Sequence, residues 1–106
     1  MKIKATPEIV SELKALQASE KFTEEDFYPG APTEEIRSSC EGRVNDFIGD
    51  VLALLAAEAD REDIFSRARV LTQTFEEEDT EEREKVDDYI GETMALLGIE
   101  DWTDHL

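Results

Sequence analysis

The chain has 106 residues, with 28 acidic side chains against 11 basic ones and a formal net charge of -17. This length suits one domain spanning residues 1–106, and a single cysteine, Cys40, excludes an intramolecular disulfide. The negative charge disfavours direct binding to nucleic acid or to an anionic membrane, and it attracts basic partners.

Two features of the sequence point to the cytoplasm. The first residues, Met1-Lys2-Ile3-Lys4-Ala5, lack the apolar segment of a signal peptide. The longest apolar run covers only residues 51–57, whereas a membrane-spanning helix needs roughly 20 apolar residues. We therefore expect a cytoplasmic protein without a membrane span.

The first helix is predicted to begin at Thr6-Pro7-Glu8. This triplet supplies an N-cap, a proline for the first helical position and an acid beside the positive end of the helix. Apolar residues then recur at helical spacing, namely Ile9, Leu13 and Leu16. The pattern predicts an amphipathic helix that ends near Ala18.

An irregular loop with aromatic residues and a Pro-Gly pair is predicted between the first two helices. Its aromatic residues, Phe22, Phe27 and Tyr28, lie among Glu20, Glu24, Glu25 and Asp26. Pro29 and Gly30 fit the two central positions of a type II turn. The aromatics either close one end of the helical bundle or form a binding loop with Tyr28 as an anchor.

A long second helix is predicted to follow Thr33. Its apolar stripe consists of Ile36, Cys40, Val44, Phe47, Val51 and Leu54 or Leu55. Cys40 is therefore interpreted as a small core residue rather than a nucleophile. Gly42 and Gly49 lie on nearly the same face, which suggests close approach of another helix or a self-packing face in a structural homo-oligomer.

Two more helices are predicted, one capped by Asp60 and one beginning at Asp79 or Thr80. Asp79 and Glu82 resemble a capping box, and Gly98 fits a left-handed terminator that folds Ile99 back onto Met94. The chain shows no alternating strand pattern. The predicted fold is therefore all-α, an antiparallel bundle of about four helices.

Nine acids fall within residues 76–88. Those near the fourth helix start complement its dipole, but Glu76, Glu77 and Glu78 follow the end of the third helix, where negative charge is unfavourable. They form either a solvated loop or a binding surface. Trp102 likewise either docks on the core or is an exposed anchor.

The sequence offers little catalytic chemistry. His105 lies near the end of the chain, where chains usually fray, and one cysteine and one histidine are too few for a zinc site. Four acids of the fourth helix share one face, as Mg²⁺ ligands do in all-α nucleotide pyrophosphatases: Glu84, Asp87, Asp88 and Glu92. The paired-Glu motif of those enzymes is not matched at Glu34-Glu35. We therefore predict no cofactor, with Mg²⁺ as the alternative.

Two stretches resemble a small bacterial family of helical domains without a known function. They are Glu20-Lys21-Phe22-Thr23-Glu24-Glu25-Asp26-Phe27-Tyr28-Pro29-Gly30-Ala31-Pro32 and Phe75-Glu76-Glu77-Glu78-Asp79-Thr80-Glu81-Glu82-Arg83-Glu84. The resemblance covers most of the chain and implies a bacterial, single-domain, all-α protein. It assigns no functional residue.

The sequence thus predicts a non-enzymatic acidic protein that binds a basic protein partner, in its most concrete form an immunity or inhibitor protein of a nuclease toxin or nucleic-acid-binding protein. The alternatives are a Mg²⁺-dependent all-α hydrolase and a structural homo-oligomer. The predicted binding residues are Glu76, Glu77, Glu78, Asp79, Glu82 and Asp88, with Tyr28 or Trp102 as an aromatic anchor.

Overall fold

Four α-helices form the framework of the computed structural model, which describes residues 5–25 and 28–106. They are α1 Pro7–Ala18, α2 Glu34–Ala56, α3 Arg61–Thr74 and α4 Thr80–Leu96, and a 3₁₀ turn follows at Trp102–His105. Across the described ranges no strand forms, and Glu25 and Tyr28 share one isolated bridge. The predicted all-α fold is confirmed. The expectations for residues 1–4, Asp26 and Phe27 lie outside the described residues.

The predicted starts of α1, α2 and α3 are confirmed by their capping contacts, and α4 begins at Thr80 as predicted. The Thr6 and Thr33 side chains accept hydrogen bonds from the N–H groups three residues later, at 3.2 and 3.1 Å. At the start of α3, the Asp60 N–H donates to Asp63 Oδ2 at 3.2 Å. Every helix also has acids in its first turn. These acids complement the helix dipoles and account for part of the negative charge.

Two helix ends are held in different ways. Gly98 is left-handed, with φ of 74°, and the Ile99 N–H donates to the Met94 carbonyl at 2.9 Å. This is the predicted Schellman-type end. At the end of α1, the buried Lys21 ammonium donates to the Leu16, Gln17 and Ser19 carbonyls and so satisfies groups that the helix leaves unpaired.

The apolar stripes of the four helices meet in one core. Cys40 is fully buried there, as predicted. The prediction for the two glycines holds only in part. A Cβ on Gly49 would lie 3.2 Å from Nε2 of Gln17 on α1, but a Cβ on Gly42 would have nothing within 4 Å. The space beside Gly49 is therefore taken by a side chain of α1, whereas no neighbouring group of the described residues requires a glycine at position 42.

An aromatic cluster of Phe22, Tyr28, Phe75 and Tyr89 closes the bundle end beneath the loop between α1 and α2. Phe22 stacks on Phe75 with ring centroids 5.8 Å apart and lies 5.1 Å from Tyr89. Its backbone is left-handed, with φ of 61°, and its N–H donates to the Tyr89 hydroxyl at 2.9 Å. The loop aromatics therefore pack on the core at the described positions.

Candidate interaction surface

Two residues predicted for the binding surface are buried together. Tyr28 is 7% exposed and Glu82 is 2% exposed, and the Tyr28 hydroxyl donates to Glu82 Oε2 at 2.7 Å. Burial raises the pKa of Tyr28, and the hydrogen bond to Glu82 adds to the effect. The expectation that these side chains face a partner is wrong, because the aromatic cluster draws Tyr28 inward and its phenol holds the Glu82 carboxylate.

This burial also changes the predicted start of α4. Asp79 is the N-cap, but among the described residues it makes no side-chain capping hydrogen bond. Glu82 is turned into the core towards Tyr28. The predicted capping box between Asp79 and Glu82 is therefore wrong.

Trp102 is half-buried and packs against the core. A Cβ on Gly91 of α4 would lie 3.4 Å from Cζ2 of its ring, so the glycine leaves room for the indole. The ring is thus docked on α4 and does not project as an exposed anchor.

The acids between α3 and α4 form a surface that we name the acidic corner: Glu76, Glu77, Glu78 and Asp79. Glu76, Glu77 and Asp79 are exposed. Glu78 is half-buried and forms an ion pair with Arg43 of α2, with Nη2 and Oε2 2.9 Å apart. Within the described chain, the other three form no ion pair, so their carboxylates are available to a partner.

Arg43 explains how the fold tolerates acids after the end of α3. Its Nη1 donates to the Thr74 carbonyl at 2.6 Å, and its guanidinium lies 4.2 Å from the centroid of the Phe75 ring. The cation thus reaches the negative end of the helix, where positive charge is favourable. Sequence reasoning missed this residue. The one available signal was its position at the edge of the apolar stripe, beside Cys40 and Val44.

Two other arginines also form ion pairs with carboxylates of the same chain. Arg37 contacts carboxylate oxygens of both Glu34 and Glu41 at 2.8 Å, and its hydrogen bond lowers the pKa of Glu34. Burial acts to raise the pKa of Glu41, but the Lys21 N–H and Arg37 outweigh it and the pKa is lowered. Arg61 pairs with Asp101 at 2.6 Å. The positive charges of Arg37 and Arg61 are therefore offset by carboxylates of the same chain.

The two most buried cations among the described residues are lysines. Lys21 is 0% exposed and Lys85 is 9% exposed. Lys85 pairs with Glu25 at 2.5 Å and lies 3.9 Å from Asp88. Among the described cations, Lys14, Arg67, Arg69 and Arg83 remain exposed. Lys21 and Lys85 therefore expose little of their positive charge to a partner.

The four acids of the Mg²⁺ alternative lie on α4. Glu84 and Asp88 line a cleft of about 240 Å³ together with Tyr28, Glu81 and Lys85. Burial raises the pKa of Asp87, and the charges of Asp88 and Glu84 add to it. Across residues 5–25 and 28–106, no three acidic, histidine or cysteine side chains are grouped so that they could hold a metal ion. Mg²⁺ binding stays a prediction.

The thiol of Cys40 is not activated as a nucleophile, and the ring of His105 lies 3.4 Å from the Asp101 carboxylate. Burial raises the pKa of Cys40 to about 11, which keeps the thiol protonated at neutral pH. His105 makes contacts with α3, although the sequence predicts a frayed chain end. Its ring stacks on Phe65 with centroids 4.3 Å apart, and its backbone carbonyl accepts from Arg69 at 2.6 Å.

Comparison with known proteins identifies the family. Residues 4–106 match the family model described as Domain of unknown function (DUF4844). The chain belongs to this family, which confirms the resemblance to a helical domain family of unknown function. Comparisons with curated proteins and with solved structures gave no significant match. Every helix in the described part of the chain is too short or too polar to cross a lipid bilayer.

Proposed function

We propose that this member of the DUF4844 family is a non-enzymatic interaction protein that binds a basic protein partner through its acidic corner. One observation carries the proposal. Several of the cations are engaged within the chain, while Glu76, Glu77 and Asp79 are exposed and form no ion pair with a described residue. A partner can therefore pair with these acids without breaking an internal ion pair.

The charge distribution favours fast and specific association. A net charge of -17 attracts a basic surface over several ångströms at low salt, and it repels other acidic proteins. Glu78 is held by Arg43, and we propose that it supports the shape of the corner while its exposed neighbours contact the partner. Asp88 is exposed on α4, and we propose it as a further contact for the same partner.

The most concrete form of this proposal is an immunity or inhibitor protein that acts in the bacterial cytoplasm. A nuclease toxin or another nucleic-acid-binding protein carries the basic surface that complements such an acidic corner. The resemblance to a bacterial helical family supports this setting. Tyr28, Glu82 and Trp102 are left out of the contact surface because they pack on the core.

A charge-matched comparison tests the proposal. The corner variant carries Glu76→Gln, Glu77→Gln and Asp79→Asn, where asparagine preserves the N-cap preference. The remote variant removes three other exposed acids, Glu12→Gln, Glu58→Gln and Glu100→Gln. Each tagged protein is used to capture partners from the source cell, which are identified by mass spectrometry.

We expect the wild type and the remote variant to retain a basic protein in roughly equal amounts and the corner variant to lose it. Identical partner lists for all three proteins would refute the corner as the binding site. The absence of any basic protein from the wild-type capture would refute the proposed function itself.

A further inference from the structure

A shallow groove of about 190 Å³ runs between α2 and α3, outside the acidic corner. Its floor is apolar, because Phe47 and Leu71 line it and are 3% and 5% exposed. Val70 stands at its edge and is 51% exposed. Among the described residues, only Val70 and Leu106 are large apolar side chains that remain exposed. The groove thus combines a buried apolar floor with an unburied apolar side chain.

Two acidic and two basic side chains line this groove. Asp46 and Asp50 line it from α2, and Arg67 lines it from α3. Arg43 also lines it, but its charge is offset by Glu78 at 2.9 Å. The excess of charge along the groove is therefore negative, and it is greatest along the α2 wall.

The groove ends beside the acidic corner. Thr74 lines the groove and is the last residue of α3, and Arg43 joins its carbonyl to Glu78 of the corner. An elongated partner segment lying in the groove would therefore reach Glu76 and Glu77 at its end. The groove and the acidic corner are therefore linked through Arg43.

We infer that this groove binds an amphipathic, basic helical segment of the protein partner, whose apolar side chains contact Val70, Phe47 and Leu71. This inference rests on the proposed function and names the shape of the partner. Basic residues beside the apolar stripe of the segment would face Asp46 and Asp50, which is the charge complementarity that helix-in-groove recognition uses. A second copy of the chain is disfavoured as the occupant, because two molecules of net charge -17 repel one another.

The test uses the full chain and two synthetic peptides of identical composition, each of about 15 residues so that a helix can form on binding. In the first peptide, leucines recur at helical spacing and lysines flank them. In the second, the same residues are scrambled so that no apolar face forms. Affinity is measured by fluorescence anisotropy at 150 mM salt, and contacts are mapped by NMR methyl shifts.

We expect the amphipathic peptide to bind at least about tenfold more tightly than the scrambled peptide, since one well-buried apolar anchor accounts for such a factor. Its binding should shift the methyl resonances of Val70 and Leu71. Val70→Ser should remove most of that tenfold preference. Serine has a helix propensity close to that of valine, so α3 is retained. Leu106→Ser is the matched control at the other exposed apolar side chain and should leave the preference unchanged.

The outcomes separate this inference from the function on which it rests. Equal binding of both peptides, unaffected by Val70→Ser, would overturn the groove and leave the acidic corner as a purely electrostatic site. A dimer in sedimentation experiments that dissociates in the Val70→Ser variant would overturn the inference by making a second copy the occupant. Failure of the proposed function would show instead as loss of the difference between the corner and remote variants in partner capture.

Discussion

The carboxylate of Glu82 is buried, and the Tyr28 hydroxyl donates to it at 2.7 Å. A buried charge needs hydrogen bonds because it has given up its contacts with water. The phenol therefore does two things at the residue scale. It fixes the loop between α1 and α2 onto α4, and it satisfies an acid that would otherwise oppose folding.

Replacing Tyr28 by phenylalanine tests this contact. Tyr28→Phe removes the donor but keeps the ring, so we expect the free energy of unfolding to fall by about 1–3 kcal/mol, the usual cost of losing a hydrogen bond to a buried charged group. Urea unfolding followed by circular dichroism measures it. Glu81→Gln, at an exposed neighbouring position, should change stability by less than about 0.5 kcal/mol.

A double-mutant cycle shows whether the hydrogen bond is the cause. In a Glu82→Gln background, Tyr28→Phe should cost clearly less than it does in the wild type, because the charged acceptor is already gone. If Tyr28→Phe lowered the free energy of unfolding equally in both backgrounds, the hydrogen bond to Glu82 would not be the cause. The loss would then come from altered packing of the ring.

At the scale of elements, none of the α-helices in the described ranges carries a basic residue in its own last turn. The cations that stabilise helix ends come from elsewhere. Lys21 follows α1 and returns to its last carbonyls, and Arg43 of α2 reaches the end of α3. Two helix ends are thus stabilised by groups outside the helices concerned.

Arg43→Met tests the support of α3. Methionine keeps an aliphatic chain over Phe75 but removes the donors to Thr74 and Glu78, so we expect a loss of about 1–2 kcal/mol in the free energy of unfolding. Arg43→Lys should recover only part of it, because an ammonium lacks the planar fork. The control is Arg83→Met, since Arg83 is exposed and, of the side chains that the structure describes, donates only to Thr80. Similar losses in Arg43→Met and Arg83→Met in urea unfolding would contradict the assigned role.

The acids of α4 allow a direct test of the Mg²⁺ alternative. Because no three carboxylates among the described residues are grouped to hold a metal ion, we expect calorimetric titration with Mg²⁺ or Mn²⁺ to show no saturable heat up to a few millimolar, the range in which weak protein sites bind hard cations. Saturable binding that disappears in an Asp88→Asn variant would contradict this expectation and restore the hydrolase alternative.

The sequence predicted the helices well and the site incompletely, for a physical reason. Caps such as Thr6 and Thr33 and the terminator Gly98 act on neighbouring backbone groups, so local sequence reveals them. Glu82 and Tyr28 are 54 residues apart in the chain, and only the packed bundle brings them together. Within the run 76–88, sequence alone therefore gave no way to separate the buried acid from the exposed ones.

At the scale of the whole molecule, self-repulsion and internal ion pairs have opposite dependence on pH. The net charge of -17 destabilises the compact state at neutral pH, and protonation of exposed acids relieves it. Asp87, whose pKa is raised by burial and by Asp88 and Glu84, contributes to that relief as the pH falls. Glu34, Glu41 and Asp101 have lowered pKa values, so their stabilising contribution is lost as the pH falls through those values.

We therefore expect the melting temperature to rise as the pH is lowered from 7 to about 5 and to fall again below about 4, where the paired carboxylates become protonated. Added salt should raise it at pH 7, because screening weakens the repulsion. Scanning calorimetry across pH and salt measures both trends. A melting temperature that falls steadily from pH 7, or that salt lowers, would show that ion pairs outweigh self-repulsion.

In the proposed function, the position of the exposed acids, and not only their number, determines partner binding. The most direct measurement is the association rate constant of the captured basic partner with the wild type, the corner variant and the remote variant at 50 and 300 mM salt. At low salt, we predict that the association rate constant of the corner variant is at least about tenfold lower than that of the wild type. The rate constant of the remote variant should stay within about threefold of the wild type. At high salt, the three rate constants should converge. Equal losses in the two variants would contradict the claim, because net charge alone would then explain the binding.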